Sequence, residues 1–200
     1  MNKLLIATNN KGKVKELQEL LKDTGLDIVT PTQINLQLDV IEDGNTYAEN
    51  ATKKAIAFAK ASGMISLADD SGLEVDALDG APGLYSARYS PKPNATDADR
   101  RANLLQNLQD RPRPWTARFH ATIAISILNG ELHLSEGICE GEIIPEERGT
   151  GGFGYDPIFL LSELGKTMAE LSMDEKNRIS HRARAVMNAK VMLRQIFNSR

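Results

Sequence analysis

Apolar positions in this chain fall into short runs alternating with helical stripes, and the alternation predicts the elements. Lys3 to Ala7 is a short apolar run with the character of a buried parallel strand. Polar Thr8 to Gly12 follows, then Val14, Leu17, Leu20 and Leu21 on one face of a helix that Gly25 ends, and Asp27 to Val29 returns as a strand. Strand, loop, helix and strand in succession argue for an α/β fold. Thr46-Tyr-Ala-Glu49 has the spacing of a capping box, in which hydroxyl and carboxylate satisfy reciprocal backbone N–H groups. Behind it Ala51, Ala55, Phe58 and Ala59 form a second stripe, stopped at Gly63. Ile65 to Ala68 predicts a strand that ends at Asp69-Asp70-Ser71-Gly72.

A loop-rich stretch from Asp79 to Pro93 leads to a helix capped at Thr96, carrying Leu104, Leu105 and Leu108 and broken by Arg111-Pro-Arg-Pro114. From Thr116 the pattern changes to period two, with Ala117, Phe119, Ala121, Ile123, Ile125 and Ile127 on one strand face. Asn129-Gly130 predicts a two-residue hairpin turn, since both residues tolerate positive φ. That turn pairs Leu128 with Glu131 and His120 with Cys139, and the return strand runs through Leu132 and Leu134 to Ile143. Ile158 to Leu161 is a further buried strand, and Ala183, Val186, Met187, Leu193, Ile196 and Phe197 mark a last helix. No repeat, low-complexity tract or clear linker interrupts the pattern. The expectation is one α/β domain over residues 1–200, its mixed central sheet flanked by helices. The long hairpin is expected to build a second lobe, with a cleft between the two.

Composition narrows the function. A 41% hydrophobic and 26% charged chain is that of a globular protein, and a net charge of −3 argues against coating nucleic acid. Phosphate binding, if present, is local. Cys139 is the only cysteine, which excludes an intrachain disulfide framework and fits a reducing compartment. Leu4 to Ala7 is too short for a signal peptide, and no run approaches the ~20 apolar residues of a membrane span. A cytoplasmic protein with no membrane partner is expected.

Four segments carry candidate chemistry. Thr8-Asn9-Asn10-Lys11-Gly12-Lys13 lies between the first strand and helix, where backbone N–H groups and a lysine make an anion site; the alternative is an ordinary polar loop. It lacks the Walker pattern, and Lys13 is a better phosphate ligand than Lys11. Asp69-Asp70-Ser71-Gly72 ends an apolar strand, where ligands of open α/β sheets gather, and adjacent residues there point to opposite faces. Glu42 can add a second carboxylate, and two carboxylates plus phosphate oxygens are how proteins hold Mg²⁺; Asp-Ser-Gly is also a good turn sequence. Thr150 to Pro157 is a glycine-dense loop in which Phe153 and Tyr155 offer faces for a planar base, unless Phe153 is tucked into the core.

Lys176, His181 and Arg182 surround Ser180, which can cap the final helix, although Ser172-x-x-Glu175 offers an earlier start. A helix starting at Ser180 places His181 and Arg182 where the macrodipole disfavours positive charge, a cost that an acceptor-rich ligand would offset. The His120–Cys139 pair is too few ligands for zinc and reads as packing.

Thr8-x-Asn10-x-x-Lys13, Asp69-Asp70-Ser71-Gly72, Gly80-Ala-Pro-Gly-x-Tyr-Ser-Ala-Arg88, Gly149-Thr-Gly-Gly-Phe-Gly-Tyr-Asp156, and Glu175-Lys176 with Ser180-His-Arg182 occur in this order. The series resembles the inosine triphosphate pyrophosphatase family, hydrolases of non-standard purine nucleoside triphosphates, over nearly the whole chain. The Pro-rich loops at Ser90 to Asn94 and Arg111 to Pro114 depart from the family's pattern. The resemblance implies Mg²⁺-dependent cleavage of inosine, deoxyinosine or xanthosine triphosphate to monophosphate and pyrophosphate, by a homodimer. It also implies roles. Asp70 is the catalytic and metal-associated aspartate and Glu42 the other acidic ligand. Thr8, Asn9, Asn10, Lys11, Gly12 and Lys13 form the triphosphate loop, with Ser71 a neighbouring contact. Phe153, Gly154, Tyr155, Asp156, Lys176, His181 and Arg182 hold base and sugar. A Maf-like pyrophosphatase, a non-hydrolysing nucleotide-binding module and, last, a nucleic-acid-binding module are the competing readings.

Overall fold

The structure, a computed structural model, describes residues 2–128 and 130–198. Among these residues seven strands form one sheet in the order β2-β1-β3-β4-β5-β6-β7. They are β1 (Lys3–Ile6), β2 (Asp27–Val29), β3 (Ile65–Val75), β4 (Trp115–Ser126), β5 (Leu132–Ile143), β6 (Phe159–Leu161) and β7 (Lys166–Thr167). The helices are α1 (Lys11–Leu21), α2 (Tyr47–Ser62), α3 (Asp97–Leu108), α4 (Met173–Ile179) and α5 (His181–Asn198). β1 pairs in parallel with both β2 and β3, whereas β6 runs antiparallel to β5 and β7, so the sheet is mixed as expected. No helix of the described residues is long and apolar enough to cross a membrane.

The chain divides into two compact units. The first comprises residues 1–70, 121–137 and 181–200, and the second residues 71–120 and 138–180. In the first, sequence periodicity becomes two-sided burial. Leu4, Ile6, Ile65 and Leu67 point to one face, beneath Leu17 and Leu21 of α1 and Ala183, Val186 and Leu193 of α5. Leu5, Ala7 and Ala68 point to the other, covered by Ala51, Ala55 and Phe58 of α2. The second unit closes around Leu73, Val75, Phe119, Cys139, Phe159 and, from α3, Leu104 and Leu108.

Several sequence expectations are corrected here. β3 does not stop at Ala68 but continues to Val75, so Asp69 to Gly72 are strand residues rather than a turn. Ile6 at the end of β1 pairs with Leu67, so Asp69 and Asp70 project just past the carboxyl end of β1. The hairpin closes one residue wider than two-residue turn chemistry requires: Ile127 N–H donates to the Glu131 carbonyl at 2.9 Å, and Gly130 N–H to the Ile127 carbonyl at 3.0 Å. Asn129 itself lies outside the described residues. The shifted register removes the basis for pairing His120 with Cys139; Cys139 is buried core and His120 Nδ1 lies 3.4 Å from Glu74 Oε1. Met187, expected in the helical core stripe, is 58% exposed on α5. Of the two proposed caps, Ser172 starts α4 with a complete capping box, while Ser180 ends α4, its N–H donating to the Lys176 carbonyl at 2.9 Å immediately before α5. At Thr46 only half of the expected box forms. Thr46 Oγ1 accepts Glu49 N–H at 3.1 Å, while the Glu49 carboxylate reaches back to Asn45 N–H at 2.7 Å.

Candidate active site

β1 delivers the chain to α1 through Thr8, Asn9 and Asn10. The Asn10 side chain caps the helix, accepting Lys13 N–H at 3.1 Å, and Thr8 Oγ1 accepts Asn10 N–H at 3.2 Å. This fixed first turn directs the Lys13 ammonium to Asp69, Nζ to Oδ1 at 2.5 Å, whereas Lys11 is exposed.

Adjacent β3 residues face opposite ways, and the two aspartates use this difference. Asp69 shares the side of Ile65 and Leu67 and meets α1 and α5. Arg182 Nε donates to its Oδ2 at 3.1 Å and Nη2 to its Oδ1 at 3.3 Å, while Nη1 of the same guanidinium donates to Glu16 Oε2 at 2.5 Å. All three side chains are buried. Burial alone would raise the Asp69 pKa, but the charges of Arg182 and Lys13 overcome it and hold the carboxyl far below its usual range. Burial also lowers the Lys13 ammonium pKa, with Asp69 opposing.

Asp70 shares the side of Ala68 and meets α2. Lys54 Nζ donates to Asp70 Oδ1 at 2.9 Å, to Glu42 Oε2 at 3.1 Å and to the Asp69 carbonyl at 2.9 Å. Burial pushes the Asp70 carboxyl upward, with Lys54 opposing. The Glu42 segment is tied to α2 by Asn50, whose Oδ1 accepts Gly44 N–H at 2.8 Å, and by Lys53 with Asp43 at 2.6 Å. Ser71 follows on β3, half-buried.

Among the described residues no three His, Cys, Asp or Glu side chains gather as a ready metal cage. Glu42 and Asp70 nevertheless converge on one cation, the Lys54 ammonium. Two carboxylates, to which a substrate's phosphate oxygens would add, are the hard oxygen donors that suit Mg²⁺, so these residues fit it.

In the second unit the aromatic loop is held from within. Asp156 Oδ2 accepts Phe153 N–H at 2.9 Å and pairs with Lys176 Nζ at 2.6 Å, and that ammonium lies 5.4 Å from the centre of the Phe153 ring. A Cβ on Gly152 would come within 1.9 Å of Asp156 Oδ2, so glycine is what permits this closure. Phe153 is half-buried. Tyr155 is not available for stacking. Its ring is 4% exposed in the core and its hydroxyl donates to the Ser86 carbonyl at 2.9 Å, which corrects the expectation of two stacking faces.

Arg182 requires a second correction. The unfavourable positive charge at the start of α5 is offset by Asp69 and Glu16, not left for a ligand, so the guanidinium faces carboxylates of its own unit. His181 is buried beside it at the first position of α5.

Sequence reasoning missed Lys54, Glu16 and the part played by Asp69. The signal was present, since Lys54 lies one turn from Ala51 and Phe58 on the buried stripe of α2, and Glu16 lies beside Leu17 on α1. A charged residue on an apolar stripe is rarely buried without partners.

The Ham1 family model matches residues 4–192. The dITP/XTP pyrophosphatase of Desulforamulus reducens is 52% identical over 196 residues, covering 98% of this chain and 97% of the relative. That of Bacillus subtilis is 45% identical over 195 residues, 96% of this chain and 98% of the relative. Among solved structures, a HAM1 protein from Coxiella burnetii superposes with a TM-score of 0.87 at 41% identity, covering 98% of this chain and 100% of that one. The Staphylococcus aureus Ham1 protein gives 0.85 at 39% identity, covering 97% and 99%.

Proposed function

The chain belongs to the Ham1 family, and on that premise we propose that it hydrolyses inosine, deoxyinosine and xanthosine triphosphates to the monophosphate and pyrophosphate. The observation that carries the reading is the meeting of Lys54 with Asp70 and Glu42, with Lys13 on the opposite side of β3. A pure binder of nucleotides gains little from carboxylates placed beside phosphate ligands, whereas hydrolysis needs them.

In the proposed reaction a water oxygen bonds to the α-phosphorus as the bond to the departing pyrophosphate breaks. Asp70 orients the water and takes up or passes on its proton; burial makes it a better acceptor than a free aspartate near ~3.9. Lys13 and the Thr8–Gly12 segment neutralise charge gathering on the pyrophosphate. Mg²⁺, held by Glu42 and Asp70, would supply Lewis-acid polarisation of the phosphate oxygens. Phe153, Asp156, Lys176 and His181 are assigned to the base and sugar, and Arg182 to holding Asp69. A homodimer and a cytoplasmic location complete the proposal, the first resting on the resemblance and the second on a lone buried cysteine.

The test is incubation of purified protein with inosine triphosphate and Mg²⁺, with pyrophosphate detection beside an adenosine triphosphate control. Release of pyrophosphate with the monophosphate as sole nucleotide product is expected. Tight binding without turnover would instead establish the nucleotide-binding module, and release of single phosphates would overturn the cleavage position.

A further inference from the structure

The Phe153–Asp156 loop has a second set of restraints, supplied by α3. Gly154 sits at φ +63°, the left-handed region, and both of its peptide groups are gripped. Its N–H donates to Asp97 Oδ2 at 2.8 Å and its carbonyl accepts from Arg101 Nη1 at 2.8 Å. Asp97 and Arg101 are one turn apart on α3 and so present carboxylate and guanidinium side by side. Each gripping side chain is itself held. Asp97 Oδ1 pairs with Arg100 Nη1 at 2.6 Å, and Arg101 takes Glu147 in a fork, Nε to Oε1 at 2.8 Å and Nη2 to Oε2 at 2.9 Å. The neighbours on either side are fixed by other elements, Phe153 N–H by Asp156 and the Tyr155 hydroxyl by the Ser86 carbonyl.

Surface ion pairs on this scale contribute little to stability. The arrangement is better explained by precision, because charged hydrogen bonds to both sides of one glycine set the direction of the peptide planes that carry the Phe153 ring. Arg101 is 12% exposed although its partner Glu147 is 48% exposed, so the guanidinium is sunk against the loop rather than displayed to solvent.

We infer that Asp97 and Arg101 are positioning residues for base recognition: α3 clamps the Gly154 peptide and thereby fixes the Phe153 ring for stacking. The inference rests on the reading that this loop holds the base. Neither side chain need touch the nucleotide, and removing either should loosen base binding while leaving the phosphate chemistry of the first unit intact.

The experiment is steady-state kinetics on Asp97→Ala and Arg101→Ala, with Asp97→Asn and Phe153→Ala beside them. Pyrophosphate inhibition serves as a readout independent of the base. Both alanine variants should raise KM for inosine triphosphate about tenfold with kcat within about threefold of wild type, the pattern of lost ground-state and transition-state binding alike. The inhibition constant for pyrophosphate should not move, and Asp97→Asn, which keeps an oxygen for the Gly154 N–H, should recover most of the loss. Phe153→Ala should raise KM at least as much. An unchanged KM in the clamp variants, with KM raised in Phe153→Ala, overturns the clamp and leaves the loop reading standing. An unchanged KM in Phe153→Ala overturns the loop reading, and the clamp falls with it. A parallel loss of kcat and pyrophosphate affinity in the clamp variants shows a general structural role and also overturns the inference. If an alanine variant does not fold, Arg101→Lys, which keeps the charge but not the fork, must show the same split in smaller measure.

Discussion

Two neighbouring aspartates with opposite surroundings give the sharpest residue-level predictions. Asp69 is spent on Arg182 and Lys13 deep in the first unit, while Asp70 meets Lys54 beside the partly exposed Glu42. Asp70→Asn keeps the shape, loses the charge and should cut turnover by about a hundredfold or more, as loss of a positioned acid–base group does. Its melting temperature should stay near wild type; turnover within a few-fold of wild type at saturating Mg²⁺ would remove Asp70 from the reaction. Arg182→Ala is a different kind of lesion. It strands Asp69 and Glu16 as buried carboxylates with the guanidinium gone, and breaking a buried ion pair costs about 3–5 kcal/mol. Urea unfolding should show that loss, and the preference for inosine over adenosine triphosphate should hold in the protein that remains folded. Wild-type stability with a shifted preference would mean that Arg182 reads the base after all.

At the scale of elements, α4 links helix capping to the site. Ser172 and Glu175 satisfy each other's backbone N–H groups at the start of α4, and the next residue, Lys176, pairs with Asp156. The bond from Ser172 N–H holds the Glu175 carboxyl at about 2, below its ordinary 4.5. A depressed pKa means the cap contributes fully above pH 4.5 and loses its contribution as pH falls towards 2. The protection factors of the Ser172 and Glu175 amides, taken against the intrinsic exchange rate at each pH, should therefore fall across that window, and Glu175→Gln should flatten the dependence. Protection that stayed constant in wild type would mean that the carboxylate does not cap.

The same element shows what was legible in the sequence. Capping residues and apolar periodicity are local, so Thr46, Thr96, Ser172 and the stripes of α1, α2 and α5 could be read directly. The length of β3 could not be read. Asp69, Asp70 and Ser71 resemble a turn until Arg182, Lys13 and Lys54, distant in sequence, neutralise the first two and make a strand of buried carboxylates tolerable. Tyr155 likewise looked like a stacking ring because nothing local reveals that the Ser86 carbonyl waits for its hydroxyl.

For the whole molecule, a net charge of −3 conceals a local balance that decides how metal enters. Glu42 and Asp70 already share the Lys54 ammonium, so a lone divalent cation gains both carboxylates only by competing with a group that makes 2.9 and 3.1 Å contacts. A triphosphate changes the balance, because its oxygens attract both the cation and the ammonium and complete the oxygen set. Mg²⁺ alone should hence shift the melting temperature by less than about 1 °C. Mg²⁺ with a non-hydrolysable inosine triphosphate analogue at about a hundred times its Kd should add about 2.7 kcal/mol, or roughly 5–10 °C for a chain of this size. Chelation with EDTA should abolish turnover and leave the nucleotide-free melting temperature where it was. Lys54→Met should reverse the order, giving Mg²⁺ alone a clear stabilising shift because the two carboxylates then lack their resident cation. A wild-type protein stabilised strongly by Mg²⁺ without nucleotide would show that the metal displaces Lys54 unaided, and the ammonium would then be a tether rather than a competitor.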